Sequence, residues 1–220
     1  MSKIATGIKL FDSMLDGGIE ASAVTTIYGD AGSGKTCICL LCTIEAVKEN
    51  KKVIYIDSEE NFSLERIQQL TSEHKKALEN ILLLRPKSFE EQKGIIERLQ
   101  KSVNDKIGLI IIDSIVKLYR LAMSKSLDTH SVSKELGSQL KIFADIAELK
   151  HIPIIITSHS YKDFKTGQIN LIGGEWVKDI SKTLIVLQNM PNGTKKITLK
   201  KHPTLSEKSI FFKIKENGIE

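Results

Sequence analysis

Gly29-Asp30-Ala31-Gly32-Ser33-Gly34-Lys35-Thr36 is the stretch on which the reading of this chain turns. The octet satisfies G-x-x-x-x-G-K-[ST] at every fixed position, a pattern that carries meaning only where a strand enters it and a helix leaves it. Both conditions hold. Ala23 to Tyr28 (AVTTIY) is a short β-rich run, and Lys35 to Lys48 reads as a helix rich in apolar residues. Glycines let such a loop turn its backbone N–H groups inward around phosphates, and the helix N-terminus adds positive potential. Gly29, Asp30, Ala31, Gly32, Ser33, Gly34, Lys35, Thr36 and the adjacent Cys37 are therefore the expected nucleotide-binding set. Lys35 is expected to reach the β- and γ-phosphates of ATP and to share in catalysis, with the Thr36 hydroxyl a ligand of Mg²⁺.

Outward from the loop, Lys52 to Asp57, Ile81 to Leu84, Leu109 to Asp113 and Ile152 to Thr157 are further short apolar runs. Helical segments separate them at Leu64 to Leu70, Phe89 to Val103 and Val132 to Lys150. Continuous apolar strands are buried on both faces, so the expected fold class is α/β, a mainly parallel central sheet flanked by helices. After about Ser181 the texture shifts to alternating strands at Thr183 to Gln188, Lys195 to Lys200 and Ser209 to Ile214, with a hairpin signal at Asn192-Gly193. An antiparallel C-terminal extension and one domain over residues 1–220 are expected. Asp113 ends the fourth strand and is expected to hold Mg²⁺ through water; capping the next helix is its bland alternative. Glu59 and Glu60 follow the second strand, where a carboxylate can either orient water for hydrolysis or form the acidic first turn of a helix. Two polar connections, Ser124 to Ser131 and Ser160 to Gly174, leave the carboxyl ends of strands, where open α/β sheets bind ligands.

Composition narrows the class. With 41% hydrophobic and 27% charged residues, no apolar run of membrane length and no secretory leader pattern at Met1 to Ile8, a cytoplasmic protein with no membrane partner is expected. At about 100° per residue on a helix Cys37 points well away from Cys39 and Cys42, so the three cannot converge on one ion and read as packing residues. Net charge is +5, yet between Lys182 and Lys215 eight lysines face one acid, Glu207. Such an edge is either a solvated face that resists edge pairing or a contact for phosphates.

The motifs together resemble the core of archaeal RadA and eukaryotic Rad51-type recombinases, within the RecA-like P-loop ATPases. Thr6-Gly7, Leu10 to Asp12, Met14-Leu15 and Gly17-Gly18-Ile19-Glu20 are similar to that family's entry to the core, and the phosphate loop follows at its spacing. Tyr55-Ile56-Asp57-Ser58-Glu59 with Phe62 and Glu65-Arg66 resembles its Y-I-D-T-E-G-T-F-x-x-E-R block, which implies Glu59 as catalytic acid and Arg66 as the residue stacked on adenine. Asp113-Ser114 with Leu118-Tyr119-Arg120 resembles the lead into the first DNA loop, and Ile172-Gly173-Gly174 the close of the second. With the core beginning at about residue 4, the N-terminal helix-hairpin-helix domain of RadA is expected to have no counterpart. That pattern is expected of a core-only archaeal paralogue.

Some positions depart from the strand-exchange pattern. Ser158-His159 stands where the family carries Asn-Gln, Glu60 replaces a glycine beside the catalytic acid, and Asp179 aligns with a position that is often His. A lone histidine at a strand end is more often a hydrogen-bonded structural residue than a sensor. Arg120, Lys162, Lys165, Lys200, Lys201 and His202 are the candidate DNA contacts, expected on one side of the molecule. Lysines around phosphates give salt-sensitive, sequence-independent binding to single-stranded or branched DNA.

The resemblance thus implies an ATP- and DNA-binding accessory protein of homologous recombination and DNA-damage repair. It would hydrolyse ATP feebly without needing DNA and would assist a RadA-type recombinase. A Holliday-junction nuclease is a further implied partner, with a homodimer left open. A KaiC-like signalling ATPase that works through protein partners without DNA is the rival reading.

Overall fold

Alternation inside the apolar runs dictates the layering. Leu109 and Ile111 enter one hydrophobic cluster while Ile110 and Ile112 enter another, as successive residues of a strand must when both faces of the sheet are covered.

The computed structural model describes residues 3–163 and 169–220. In chain order its elements are β1 (Lys3–Ile4), α1 (Lys9–Met14), β2 (Ile19–Glu20), β3 (Val24–Gly29), α2 (Lys35–Lys48), β4 (Lys52–Asp57), α3 (Leu64–Leu70), α4 (His74–Glu79), β5 (Ile81–Leu84) and α5 (Phe89–Ser102). There follow β6 (Ile107–Asp113), α6 (Val116–Lys125), α7 (Thr129–Lys150), β7 (Ile154–Lys162), β8 (Ile169–Leu171), α8 (Gly174–Ile180), β9 (Ser181–Asn189), β10 (Thr194–Lys201), β11 (Lys208–Lys215) and β12 (Gly218–Ile219). The main sheet has the order β12-β11-β10-β9-β3-β7-β6-β4-β5, with β8 paired to β7. Pairings from β9 through β5 are parallel, and those from β9 to β12 antiparallel. The expected mainly parallel sheet with an antiparallel extension is what forms.

Ile27, Tyr55, Ile111, Ile155 and Ile185 pack under α2 on one side, and Val24, Ile54, Ile110, Ile154 and Val186 under α5 to α8 on the other. Side-chain caps set the helix starts. Ser63 accepts from Arg66 N, Ser88 from Glu91 N and Asp128 from Ser131 N. The last of these begins α7 at Thr129, three residues before the expected Val132.

Both polar connections proved shorter than expected. Helix α6 runs on to Lys125, because Val116 and Leu118 bury its inner face. Strand β7 continues to Lys162, because β8 pairs back on it through Ser160, Tyr161 and Lys162. The Asn192-Gly193 hairpin signal holds: φ is 59° and 70° at these residues, the left-handed values that Asn and Gly tolerate best.

Candidate functional site

Parallel pairing of β3 with β7 and β9 places Gly29 opposite both His159 and Leu187 at the carboxyl edge of the sheet. A Cβ on Gly29 would lie 2.2 Å from the Leu187 carbonyl oxygen, so the close approach of β9 requires glycine there. Gly34, with φ of 105°, turns the chain into α2, and a Cβ there would lie 2.7 Å from Ile214 Cδ1. Lys35 is 7% exposed and donates to the Gly29 and Asp30 carbonyls, each at 2.9 Å.

Thr36 donates to Asp113 Oδ2 at 2.6 Å, so the expected magnesium pair is adjacent. Thr157 donates to Asp113 Oδ1 at 2.5 Å and Tyr55 to Oδ2 at 3.1 Å, two partners the sequence reading missed. Burial pushes the Asp113 carboxyl above its usual range, against the pull of those hydroxyls. Lys35 moves the opposite way: burial lowers its pKa, opposed by Asp113, Glu59 and Asp30. A buried carboxylate short of positive charge beside a buried ammonium short of negative charge suits a bound cation and polyphosphate. Hydroxyl and carboxylate oxygens are the hard donors Mg²⁺ takes. The residues present therefore fit Mg-ATP.

Glu59 is carried by a turn that Asp57 anchors, accepting from Asn61 N, Phe62 N and Arg85 Nε at 3.0, 3.2 and 3.1 Å. Glu60 has φ of 61°, a left-handed value that glycine adopts without strain, and Lys87 pairs with its exposed carboxylate at 2.9 Å. Glu59 Oε1 lies 2.5 Å from His159 Nε2, and Asn61 Nδ2 donates to Oε2 at 3.1 Å. Burial tends to raise the Glu59 pKa, but the hydrogen bond and charge of His159, with Lys35, hold it below the ordinary glutamate value. The His159 carbonyl accepts from Ile172 N at 2.9 Å, and Ser158 Oγ donates to the Ile172 carbonyl at 2.7 Å. One strand end thus touches both Glu59 and the segment before Gly173.

Arg66 and Cys37 come together, with Arg66 Nη2 3.5 Å from Cys37 Sγ. The same guanidinium donates to the Lys215 and Glu216 carbonyls, joining the site to the end of β11. Cys39 and Cys42 pack in the core cluster under α2.

Sequence reasoning also missed Lys195 and Asn189. Lys195 Nζ donates to the Gly32 carbonyl at 2.8 Å and to Asn189 Oδ1 at 2.6 Å, while Asn189 Nδ2 donates to the Ala31 carbonyl at 3.0 Å. On the other flank Ser160 Oγ donates to Asp30 Oδ1 at 2.6 Å. The crest of the phosphate loop is thereby held from β9, β10 and β7. Lys195 belonged to the lysine-rich stretch, but nothing local in the sequence distinguished it from its neighbours.

The candidate DNA contacts do not share one side. Lys162 is the last residue of β7, at its carboxyl end, whereas Lys201 pairs with Leu184 near the start of β9. The two levels are roughly 20 Å apart along the strands at about 3.3 Å per residue. Antiparallel β10 carries its end back to the amino edge, which the sequence pattern did not reveal. There Lys200 pairs with Glu207, Lys201 donates to the Lys178 carbonyl, and the His202 side chain is 1% exposed beside Glu20. Arg120 is on α6, and Lys165 lies outside the described residues.

Comparison with known proteins decides the family. The Rad51 family model matches residues 1–220. This chain belongs to the Rad51 family. Among Rad51-family relatives, a DNA repair and recombination protein RadB of Methanococcoides burtonii is 35% identical over 206 residues, covering 93% of this chain and 91% of the relative. RadB of Methanococcus maripaludis strain C7 is 37% identical over 214 residues, covering 96% and 97%. RadB of Thermoplasma acidophilum is 34% identical over 220 residues, covering 99% and 93%. A solved structure described as the RadB recombinase matches with a TM-score of 0.83 at 29% identity, covering 98% of each chain. The fold is accordingly RecA-like, and among the described residues no helix is long and apolar enough to cross a membrane.

Proposed function

We propose that this Rad51-family chain is an ATP- and DNA-binding accessory protein of homologous recombination and repair. It acts in the cytoplasm as a single core domain beside a RadA-type recombinase, with a Holliday-junction nuclease as a second partner. It hydrolyses ATP slowly and does not exchange strands efficiently by itself. The observation that carries this reading is a phosphate loop and magnesium pair kept whole while Glu59, the candidate base, is engaged by His159. Bound Mg-ATP would supply the reactive γ-phosphate, with Thr36 and Asp113 holding the metal, Lys35 meeting the phosphates and Arg66 stacking on adenine. Glu59 serves as base only when its carboxylate is free to orient water, and its hydrogen bond to His159 competes with that task.

The test combines anisotropy of labelled single-stranded and branched DNA, across a salt series with and without Mg-ATP, with phosphate release. Salt-dependent binding with feeble turnover is expected. Absence of binding at low salt, with nucleotide-driven ring assembly, would replace this reading with the KaiC-like signalling ATPase. Efficient strand exchange by the purified protein would also overturn it.

A further inference from the structure

Strands β10 and β11 present two unlike faces. Ile197, Leu199 and Phe212 point into the core cluster on the α2 side, with Ile210 and Ile214 packed against it. The other face carries Lys196 directly opposite Phe211, and Lys213 opposite Thr194. Residue alternation adds Ser209 and Lys215 to the same face.

On this side the neighbouring strand β9 is covered, since Leu184 and Val186 belong to the cluster that includes Val177 of α8. The cover reaches Thr198 of β10, which is 3% exposed, and stops short of Phe211, which is 57% exposed. Among the described residues none of Lys196, Lys213 and Lys215 forms an ion pair, whereas Lys200 at the far end of β10 is paired.

A face kept charged only to discourage edge pairing needs lysines and gains nothing from an exposed aromatic ring. A sheet face with an exposed ring among ammonium groups that form no ion pair has the composition of a stacking platform for bases with a track for phosphates. Cross-strand partners lie about 4.5–5.5 Å apart at Cβ, so the half-buried Lys196 lies directly beside the ring. An acidic protein segment would match the lysines but leave the ring unused.

We propose that the uncovered face of β10 and β11 binds single-stranded nucleic acid, Phe211 stacking on a base and Lys196, Lys213 and Lys215 contacting phosphates. This surface rests on the reading of the chain as a DNA-associated protein, and it is separate from the loops at the carboxyl ends of β6 and β7.

Anisotropy of labelled oligothymidine, with thermal melts as a folding control, compares the parent with Phe211→Ala and with Lys196→Gln/Lys213→Gln. Phe211→Ala should weaken binding about tenfold without changing the melt or the salt slope. The lysine variant should weaken binding and lower the slope of log K against log salt by about 0.7 for each lost contact. If both variants bind as the parent does, this face is not the site, while the DNA reading stands on another surface. If the parent binds no nucleic acid at low salt, the DNA reading itself falls and the proposal with it. Phe211-dependent binding of poly-glutamate in place of oligothymidine would overturn the proposal in favour of an acidic protein partner.

Discussion

Lys195 shows how a single side chain outside a motif can govern it. The phosphate-loop octet specifies a backbone that can wrap phosphates, yet its crest is held by side chains from Lys195, Asn189 and Ser160. Replacing Lys195 with alanine removes a hydrogen bond worth about 1 kcal/mol, more if its charge counts in full. Lys195→Ala is therefore expected to weaken ATP binding about fivefold to tenfold by calorimetry, with a thermal midpoint near that of the parent. Lys195→Arg should recover most of the affinity, since a donor and a charge remain. Equal affinity in the parent and the alanine variant would mean that the loop keeps its shape unaided.

At the scale of elements, the turn after β10 is built on His202. Its Nδ1 accepts from Thr204 N and Leu205 N, each at 3.2 Å, and its Nε2 lies 3.6 Å from Glu20 Oε1 on β2. Burial lowers the His202 pKa, Lys3 and Lys208 lower it further, and Glu20 and Asp16 oppose them. The unfolded chain thus binds a proton more readily than the folded one as pH falls below about 6.5, so stability is kept above that pH and lost as pH drops toward the folded-state pKa. Protonation would also cost Nδ1 its role as acceptor and loosen the turn. Melts between pH 7 and pH 5 should show this loss in the parent and a shallower one in His202→Asn. Parallel profiles would show that other groups carry the pH dependence.

Across the whole molecule the nucleotide site draws on β3, α2, β4, β6, β7, β9, β10 and the end of β11, so occupancy should be felt by the entire sheet. Mg-ATP at about a hundred times its dissociation constant should stabilise the fold by about 2.7 kcal/mol, visible as a rise of a few degrees in the melt. Lys35→Ala should show no such rise, and its midpoint without nucleotide should stay near that of the parent. A variant that still responds to Mg-ATP would refute the assignment of the phosphate site. Much of this architecture was legible in the chain itself. Apolar runs such as Leu109 to Asp113, the glycines of the phosphate loop and the Asn192-Gly193 turn are local signals, because periodicity and backbone freedom act over a few residues. The pairing of Thr36 with Asp113 was also foreseeable, since motif and strand end together imply it. Contact of His159 with Glu59, the grip of Lys195 on Gly32, the burial of His202 and the separation of Lys162 from Lys200 and Lys201 were not. Each joins residues distant in sequence through strand order and direction, and a lysine or histidine looks the same in sequence whether the fold turns it to solvent, to a loop or into the core.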